Sequence, residues 1–298
     1  MSAETRRFVT EAAQRLALAG VDSPWHDAEA LLAFVMRAAP GVVHAATGCL
    51  DSDVRNAAWS LVERRATREP LQHITGTAGF RHLDLVVGPG VFVPRPETEL
   101  LAGAAVDELR RLVGAGVDRP VAVDLCTGSG AVAAALASEV PQSRVTAVEL
   151  AEQAHGYAVR NAAPFGVDVR LGDMAEAVND LAGSVHVVTA NPPYIPLDAF
   201  ESVAAEARDY DPPQSLWAGR DGLKAIAVVA RVAARLLVDG GLVLCEHADV
   251  QHESAPRTFA GAGSWVAIRD NPDLANRPRF VTARRAPRRP AAAGTISL

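Results

Sequence analysis

Val121-Ala122-Val123-Asp124-Leu125-Cys126-Thr127-Gly128-Ser129-Gly130 is the stretch on which the fold turns. It reads as a mostly apolar strand, of the kind a parallel sheet buries on both faces, running into a Gly-rich turn. A helix over residues 131–140 follows. A strand, tight turn and helix in that order bring backbone N–H groups close to a ligand at the helix N-terminus. The unit is shared by dinucleotide and adenosyl-methionine sites, so the turn alone does not choose between them. The next strand, Arg144 to Val148, ends at Glu149, a carboxylate able to accept both hydroxyls of a ribose. The strand Val167 to Leu171 ends at Gly172-Asp173. There Asp173 either accepts from an adenine amino group or closes a turn beside glycine.

A second chemistry-bearing stretch is Asn191-Pro192-Pro193-Tyr194, which leaves the apolar run of Val185, Val187 and Val188. Open α/β sheets carry their chemistry at the carboxyl ends of strands. Two prolines fix φ and remove two backbone donors, leaving carbonyls that only accept. Asn191 adds a side-chain carbonyl acceptor. A rigid group of acceptors beside an aromatic ring suits a planar NH2 group. Taken alone, the stretch is equally a Pro-rich turn between a strand and a helix.

Around these two stretches the chain divides by pattern. Phe8, Ala12, Leu16 and Ala19 share one helical face, and Gly20 stops that helix. Ser23 is an N-cap candidate for a second helix, with Pro24 at its first position and Asp27 in its first turn. A third helical pattern covers Val54 to Arg68, with Ala58, Leu61 and Val62 inward. Residues 1–70 thus form a small helical domain, either a cap or a substrate-recognition module. Residues 71–98 read as a β-hairpin linker, ending in Val93-Pro94-Arg95-Pro96-Glu97-Thr98-Glu99. The remainder to residue 285 alternates strands and helices. It includes loop signals over 206–212 and 219–223, a helix from Lys224 to Leu236 and a strand within residues 240–247. A final strand pair covers residues 265–269 and 279–284. The Pro-, Ala- and Arg-rich residues 286–298 read as a disordered tail with solvated arginines.

The bulk properties narrow the classes. Apolar residues make up 49% and charged residues 21% of 298, which fits a globular protein with a sizeable core. A formal charge of −6 disfavours sequence-independent binding to nucleic acid phosphates. Three cysteines at no metal-ligand spacing point to a reducing, cytoplasmic compartment. The N-terminus lacks an apolar h-region, so no signal peptide is expected, and no apolar run is long enough to span a bilayer. His73, His82 and His247 have no metal partners at ligand spacing and read as structural. Cys126 has no base nearby in sequence and is not taken as a nucleophile.

With these residues in view, the chain resembles the protein-(glutamine-N5) methyltransferases that modify peptide chain release factors. The likeness runs from Pro70 to Arg284. It is carried by Pro70-Leu71-Gln72-His73-Ile74 with Gly76 and Phe80, and by Pro94-Arg95-Pro96-Glu97-Thr98-Glu99. It continues through Asp124 to Gly130, the Asn191 to Tyr194 run, and Gly241 to His247. Three positions depart from the family pattern: Cys126 where Gly is frequent, Glu149 where Asp is common, and Ala248 where Gly often follows. The resemblance implies an α/β class I fold, a Rossmann-like seven-stranded sheet with a reversed last strand, using S-adenosyl-L-methionine. It implies methylation of the glutamine amide in the Gly-Gly-Gln motif of release factors. A monomer with no stable nucleic acid partner, no membrane partner and no metal is expected. Ribosomal-protein glutamine or DNA adenine remains the alternative substrate, and a non-catalytic binding module the alternative class. The candidate cofactor residues are Asp124, Thr127, Gly128, Ser129, Gly130, Glu149, Asp173 and Asn191. The candidate catalytic run is Asn191, Pro192, Pro193 and Tyr194, with Asn191, Pro192 and Tyr194 on the substrate.

Overall fold

The computed structural model describes residues 1–45 and 49–288. In chain order the helices α1 (Ala3–Leu18), α2 (Pro24–Val35), α3 (Pro40–Ala45), α4 (Ser52–Ala66) and the single turn α5 (Leu71–Thr75) come first. The hairpin strands β1 (Thr77–Phe80) and β2 (Leu83–Val86) follow. Then come α6 (Thr98–Gly114), β3 (Val121–Leu125), α7 (Ala131–Glu139), β4 (Arg144–Glu149), α8 (Glu152–Ala162), β5 (Asp168–Leu171) and β6 (Val185–Ala190). The chain continues through α9 (Ala205–Tyr210), α10 (Pro213–Leu216), α11 (Lys224–Leu236), β7 (Leu237–Glu246) and α12 (Ser254–Gly261), and closes with β8 (Trp265–Pro272) and β9 (Pro278–Arg285). It divides into two units: one of Met1–Ala78, Val86–Val93 and Ser202–Asp211, the other of the remaining segments. No helix among the described residues is long and apolar enough to cross a membrane.

The first unit is helical. Of its expected inward face, Phe8, Ala12 and Leu16 are buried together with Leu31, Leu32, Ala58 and Val62, while Ala19 caps the helix end and is half-buried. Ser2 caps α1 by accepting from the Thr5 N–H at 3.2 Å, and Asp51 caps α4. Pro24 takes the expected first position of α2, but Ser23 makes no side-chain cap bond, because its backbone (φ −123°, ψ 60°) is not extended as a cap requires. Asp27 does more than sit in a first turn. It is buried and accepts from Arg65 Nε at 2.7 Å. Arg65 also donates to Glu206 at 2.8 Å, and Arg68 donates to the same carboxylate. This pairing explains why residues 205–210, read as loop from sequence, form α9. The anchor that holds the turn is a pair of arginines more than a hundred residues earlier. Residues 71–75, read as the start of a hairpin, form the turn α5, which Gly76 closes at φ 76°.

The second unit is a seven-stranded sheet in the order β5-β4-β3-β6-β7-β9-β8. β3 to β7 are parallel and β9 is antiparallel to both neighbours. The class I methyltransferase architecture with its reversed last strand is therefore present. Successive residues of β3 feed opposite cores. Ala122 packs with the alanine-rich α7 and with Leu101, Val106 and Leu109 of α6, while Val123 and Leu125 pack with Ile226, Val229 and Ala233 of α11. Burial on both faces is what the apolar run predicts. β7 starts earlier than expected, at Leu237, and β8 and β9 run longer, because their antiparallel ladder extends from Trp265–Arg285 to Pro272–Pro278. The tail expected to be disordered lies, from residue 289, outside the described residues. Arg288, read as solvated, donates to the carbonyls of Arg235 and Leu237 at 3.3 and 3.1 Å.

Burial alone would raise the Glu206 pKa, but the hydrogen bonds from Arg68 and Arg65 outweigh it and hold the group at about 2. A carboxyl with a depressed folded pKa stabilises the fold above its unfolded pKa and loses that contribution as pH falls through the folded value. Glu206→Gln is therefore expected to lower the free energy of unfolding near neutral pH, with the gap to the parent closing between about pH 4.5 and about 2. Urea titrations of both proteins at about pH 7 and about pH 3 measure this. A gap that does not shrink on acidification would show that the carboxylate is not the stabilising group.

Candidate functional site

Parallel register lines up the strand ends. Leu125 lies opposite Val148 and Ala190, Glu149 opposite Leu171, and Ala190 opposite Cys245. The turn 126–130, Glu149, Gly172-Asp173, Asn191 and Glu246 therefore gather on one rim of the sheet. It lies where β3 has neighbours on both sides, reached by crossovers in opposite directions, the topological switch point of such folds. The sequence-derived candidates are thus brought together, although not all face outward.

Asp124 is 2% exposed and turns inward. One carboxylate oxygen accepts from Thr127 Oγ1, and the other accepts from Thr189 Oγ1 of β6 at 2.7 Å. Desolvation lifts its pKa to about 6 against the pull of those hydrogen bonds. Thr127 and Ser129 are buried beside it, and the Ser129 carbonyl accepts from Asn161 Nδ2 at 2.9 Å. Glu149 Oε2 accepts from the Gly128 N–H at 2.8 Å and Oε1 from the Ala151 N–H at 2.9 Å, and the Leu150 N–H also favours the carboxylate. Two carboxylate oxygens offer roughly four lone-pair sites, so acceptor capacity remains. Asp173 Oδ1 accepts from the Ala175 N–H at 2.8 Å, so the turn role read for it is present.

The backbone of the turn is unusual. Cys126, Gly128 and Gly130 all have positive φ, at 57°, 57° and 82°. At Cys126 an L-residue sits in the left-handed region, at a cost of roughly 1–2 kcal/mol. Glycine, which the family resemblance leads one to expect at this position, would adopt that angle without the cost. Its thiol is pushed up by desolvation, reinforced by Glu149, and lies 3.8 Å from Met174 Sδ. At Gly130 a Cβ would come within 3.1 Å of the Ala158 Cα and 3.2 Å of its carbonyl, so the glycine is what lets α8 close against the turn. A Cβ at Gly128 would meet nothing within 4 Å, leaving the backbone open to close approach.

At the other end of the rim, Asn191 Nδ2 donates to Thr98 Oγ1 at 3.2 Å. Thr98 in turn donates to Glu246 Oε2 at 2.7 Å, and Tyr194 Oη donates to Glu246 Oε1 at 2.9 Å. Desolvation raises the Glu246 pKa, while Thr98 and Tyr194 draw it back. Burial and the Glu246 charge hold the Tyr194 phenol protonated. The Tyr194 carbonyl accepts from Gln251 Nε2 at 3.0 Å, and Gly222 packs so close that a Cβ there would sit 2.1 Å from that carbonyl. No described residue donates to the Asn191 Oδ1 or to the Pro192 carbonyl. The arrangement offers two fixed acceptors to an incoming donor. Thr98, Glu246, Gln251 and Gly222 are absent from the sequence-derived site. Glu246 had a readable signal, a carboxylate closing the apolar run Leu242-Val243-Leu244-Cys245. Gln251 and Gly222 had none. His247 is buried, with its ring nitrogens 2.8 Å from the Ala248 carbonyl and 3.1 Å from Asp270, in keeping with a structural role.

Comparison with known proteins adds to this geometry. A family model described as PrmC N-terminal domain matches residues 8–76, and one described as Methyltransferase domain matches residues 122–210. The release factor glutamine methyltransferase of Streptomyces coelicolor is 52% identical over 278 residues, covering 93% of this chain and 97% of that protein. A 4-amino-L-phenylalanine/4-methylamino-L-phenylalanine methyltransferase of Streptomyces pristinaespiralis is 40% identical over 264 residues, 88% of this chain and 89% of its own length. Among solved structures, the hMettl16 catalytic domain in complex with a MAT2A 3'UTR hairpin aligns at a TM-score of 0.50 and 10% identity. That match covers 68% of this chain and 75% of the other, and is a likeness of fold alone.

The turn's geometry predicts different outcomes for two substitutions. Gly130→Ala adds left-handed strain and a backbone clash with α8, and is expected to cost about 2 kcal/mol or more of stability. Cys126→Gly removes strain and gains unfolded-state entropy in nearly equal measure, so stability should stay within about 1 kcal/mol of the parent. Chemical denaturation of both variants checks the pair. Equal losses would mean that the positive φ at Cys126 is not what the position is selected for.

Proposed function

The chain belongs to the release factor glutamine methyltransferase family, and on that premise we propose its reaction. It methylates the side-chain amide nitrogen, N5, of the glutamine in the Gly-Gly-Gln motif of peptide chain release factors, with S-adenosyl-L-methionine as methyl donor. The observation that carries this reading is the acceptor pair at Asn191 Oδ1 and the Pro192 carbonyl, on the same strand-end rim as the Gly-rich turn and Glu149. The residues fit the cofactor: Glu149 keeps lone pairs for ribose hydroxyls, and Gly128 leaves its backbone open to the methionine part. Asp173 has an oxygen for the adenine amino group, and Asp124, Thr127, Ser129 and Gly130 shape the turn beneath. When bound, S-adenosyl-L-methionine supplies an activated methyl group and leaves as a neutral thioether.

What remains for the protein is positioning. An amide nitrogen is a poor nucleophile because its lone pair is delocalised into the carbonyl. Asn191 Oδ1 and the Pro192 carbonyl accept the two amide protons and hold the nitrogen toward the methyl group, with Pro193 stiffening the loop and the Tyr194 ring against the flat amide. A proton leaves to water after transfer, so no strong general base is needed. The helical residues 1–70 dock the protein partner, and the enzyme acts as a cytoplasmic monomer.

Two measurements test this. Asn191→Ala is expected to lower methyl transfer by about 100-fold while calorimetry finds S-adenosylhomocysteine still bound; near-normal turnover would remove Asn191 from the mechanism. A labelled-cofactor assay offers release factor, its Gln→Ala form, unmethylated DNA, ribosomal protein and 4-amino-L-phenylalanine. The last is included because the Streptomyces pristinaespiralis relative is named for that amine. Label on intact release factor alone is the expected outcome, and label on any other substrate in preference to it refutes the assignment.

A further inference from the structure

An asparagine can meet a substrate with its amide oxygen or with its NH2, and the two differ only by a half-turn about χ2. At Asn191 the choice is set by a chain of hydrogen bonds that ends on a buried charge. Glu246 is 1% exposed and accepts from Thr98 at 2.7 Å and from Tyr194 at 2.9 Å. Burial raises its pKa even against the pull of Thr98, Tyr194 and Arg279, but each oxygen receives one hydroxyl donor, the pattern that a carboxylate accepts. An ionised carboxylate has no proton to give, so the single hydroxyl proton of Thr98 points to Glu246. Toward Asn191, 3.2 Å away, the Thr98 oxygen is then an acceptor only. Asn191 must turn its NH2 to Thr98 and leave Oδ1 for whatever enters. The reversed amide would set oxygen against oxygen, at a loss of about ten- to a hundred-fold in population.

We infer that Glu246, acting through Thr98, is the positioning residue that locks Asn191 as an acceptor. It thereby makes the site select a side chain ending in NH2 over the isosteric carboxylate. The inference rests on the amide-methylation reading above and deepens it: the substrate preference is written in the polarity of a buried hydrogen-bond chain. Thr98→Val breaks that chain. Glu246→Gln can reverse it, because the new amide donates to Thr98 and frees the Thr98 proton for Asn191 Oδ1. Thr98→Ser keeps the hydroxyl and with it the polarity.

The test uses the full chain loaded with S-adenosylhomocysteine and measures Kd for release factor carrying its glutamine and for the Gln→Glu form. The parent and Thr98→Ser are expected to prefer glutamine by more than about tenfold, and Thr98→Val and Glu246→Gln by less than about threefold. S-adenosylhomocysteine affinity and Tm near the parent values exclude a general collapse of the site. A preference kept in both Thr98→Val and Glu246→Gln, or lost equally in Thr98→Ser, overturns the inference. A second readout needs no substrate. The Asn191 side-chain NH2 protons, assigned by their loss in Asn191→Ala, should show an NOE to the Thr98 methyl group in the parent that weakens in Glu246→Gln; its absence in the parent also overturns the inference. If the parent binds neither release factor form, the functional reading fails and the NMR measurement still decides the amide orientation.

Discussion

A carboxylate taken out of water must find a donor for each oxygen, and Asp124 meets that demand from two directions. Thr127 comes from the Gly-rich turn and Thr189 from β6, the strand whose end carries Asn191. One side chain therefore ties the turn after β3 to the strand that presents the Asn-Pro-Pro-Tyr loop. Its pKa of about 6 records what burial costs the charge. The carboxylate is a poor way to stabilise a core and a good way to hold two loops in fixed relation. The packing of both sheet faces keeps water from relaxing that relation.

Glu246 repeats the device one layer out, at the end of β7. It too is a buried carboxylate with both oxygens satisfied, here by Thr98 and Tyr194. Together the two groups set the geometry of the site from beneath, each taking one hydroxyl donor on each oxygen. The loop above them is rigid for a different reason. Prolines fix its φ angles, and Gln251 and Gly222 close around the Tyr194 carbonyl. The rim carries local rules broken at close quarters: buried carboxylates at Asp124 and Glu246, and an L-residue at φ 57° in Cys126.

The contrast between the two units shows how far local pattern reaches. In the helical unit the face of Phe8, Ala12 and Leu16 is legible because a period of 3.6 residues is a local property. α9 is not legible there, because six residues are too few to sustain a helix alone and the turn is held by Arg65 and Arg68 from elsewhere in the chain. Likewise Ser23 has the right residue type for a cap and the wrong backbone angles, which its composition does not reveal.

By itself the sequence determined the alternation of strands and helices in the sheet unit, the doubly buried β3, the Gly-rich turn and the acceptor-rich loop. It also placed Glu149 and Asp173 at the ends of two successive strands. Each of these depends on residue type and spacing over short distances. Only the tertiary structure decided which polar atoms meet. It turned Asp124 inward, made Glu246 the shared acceptor of Thr98 and Tyr194, and pointed the Asn191 NH2 at Thr98. Those pairings join residues tens to more than a hundred positions apart, and hydrogen-bond polarity passes only between atoms in contact. Sequence spacing carries no record of that contact, whereas the parallel register of the sheet creates it.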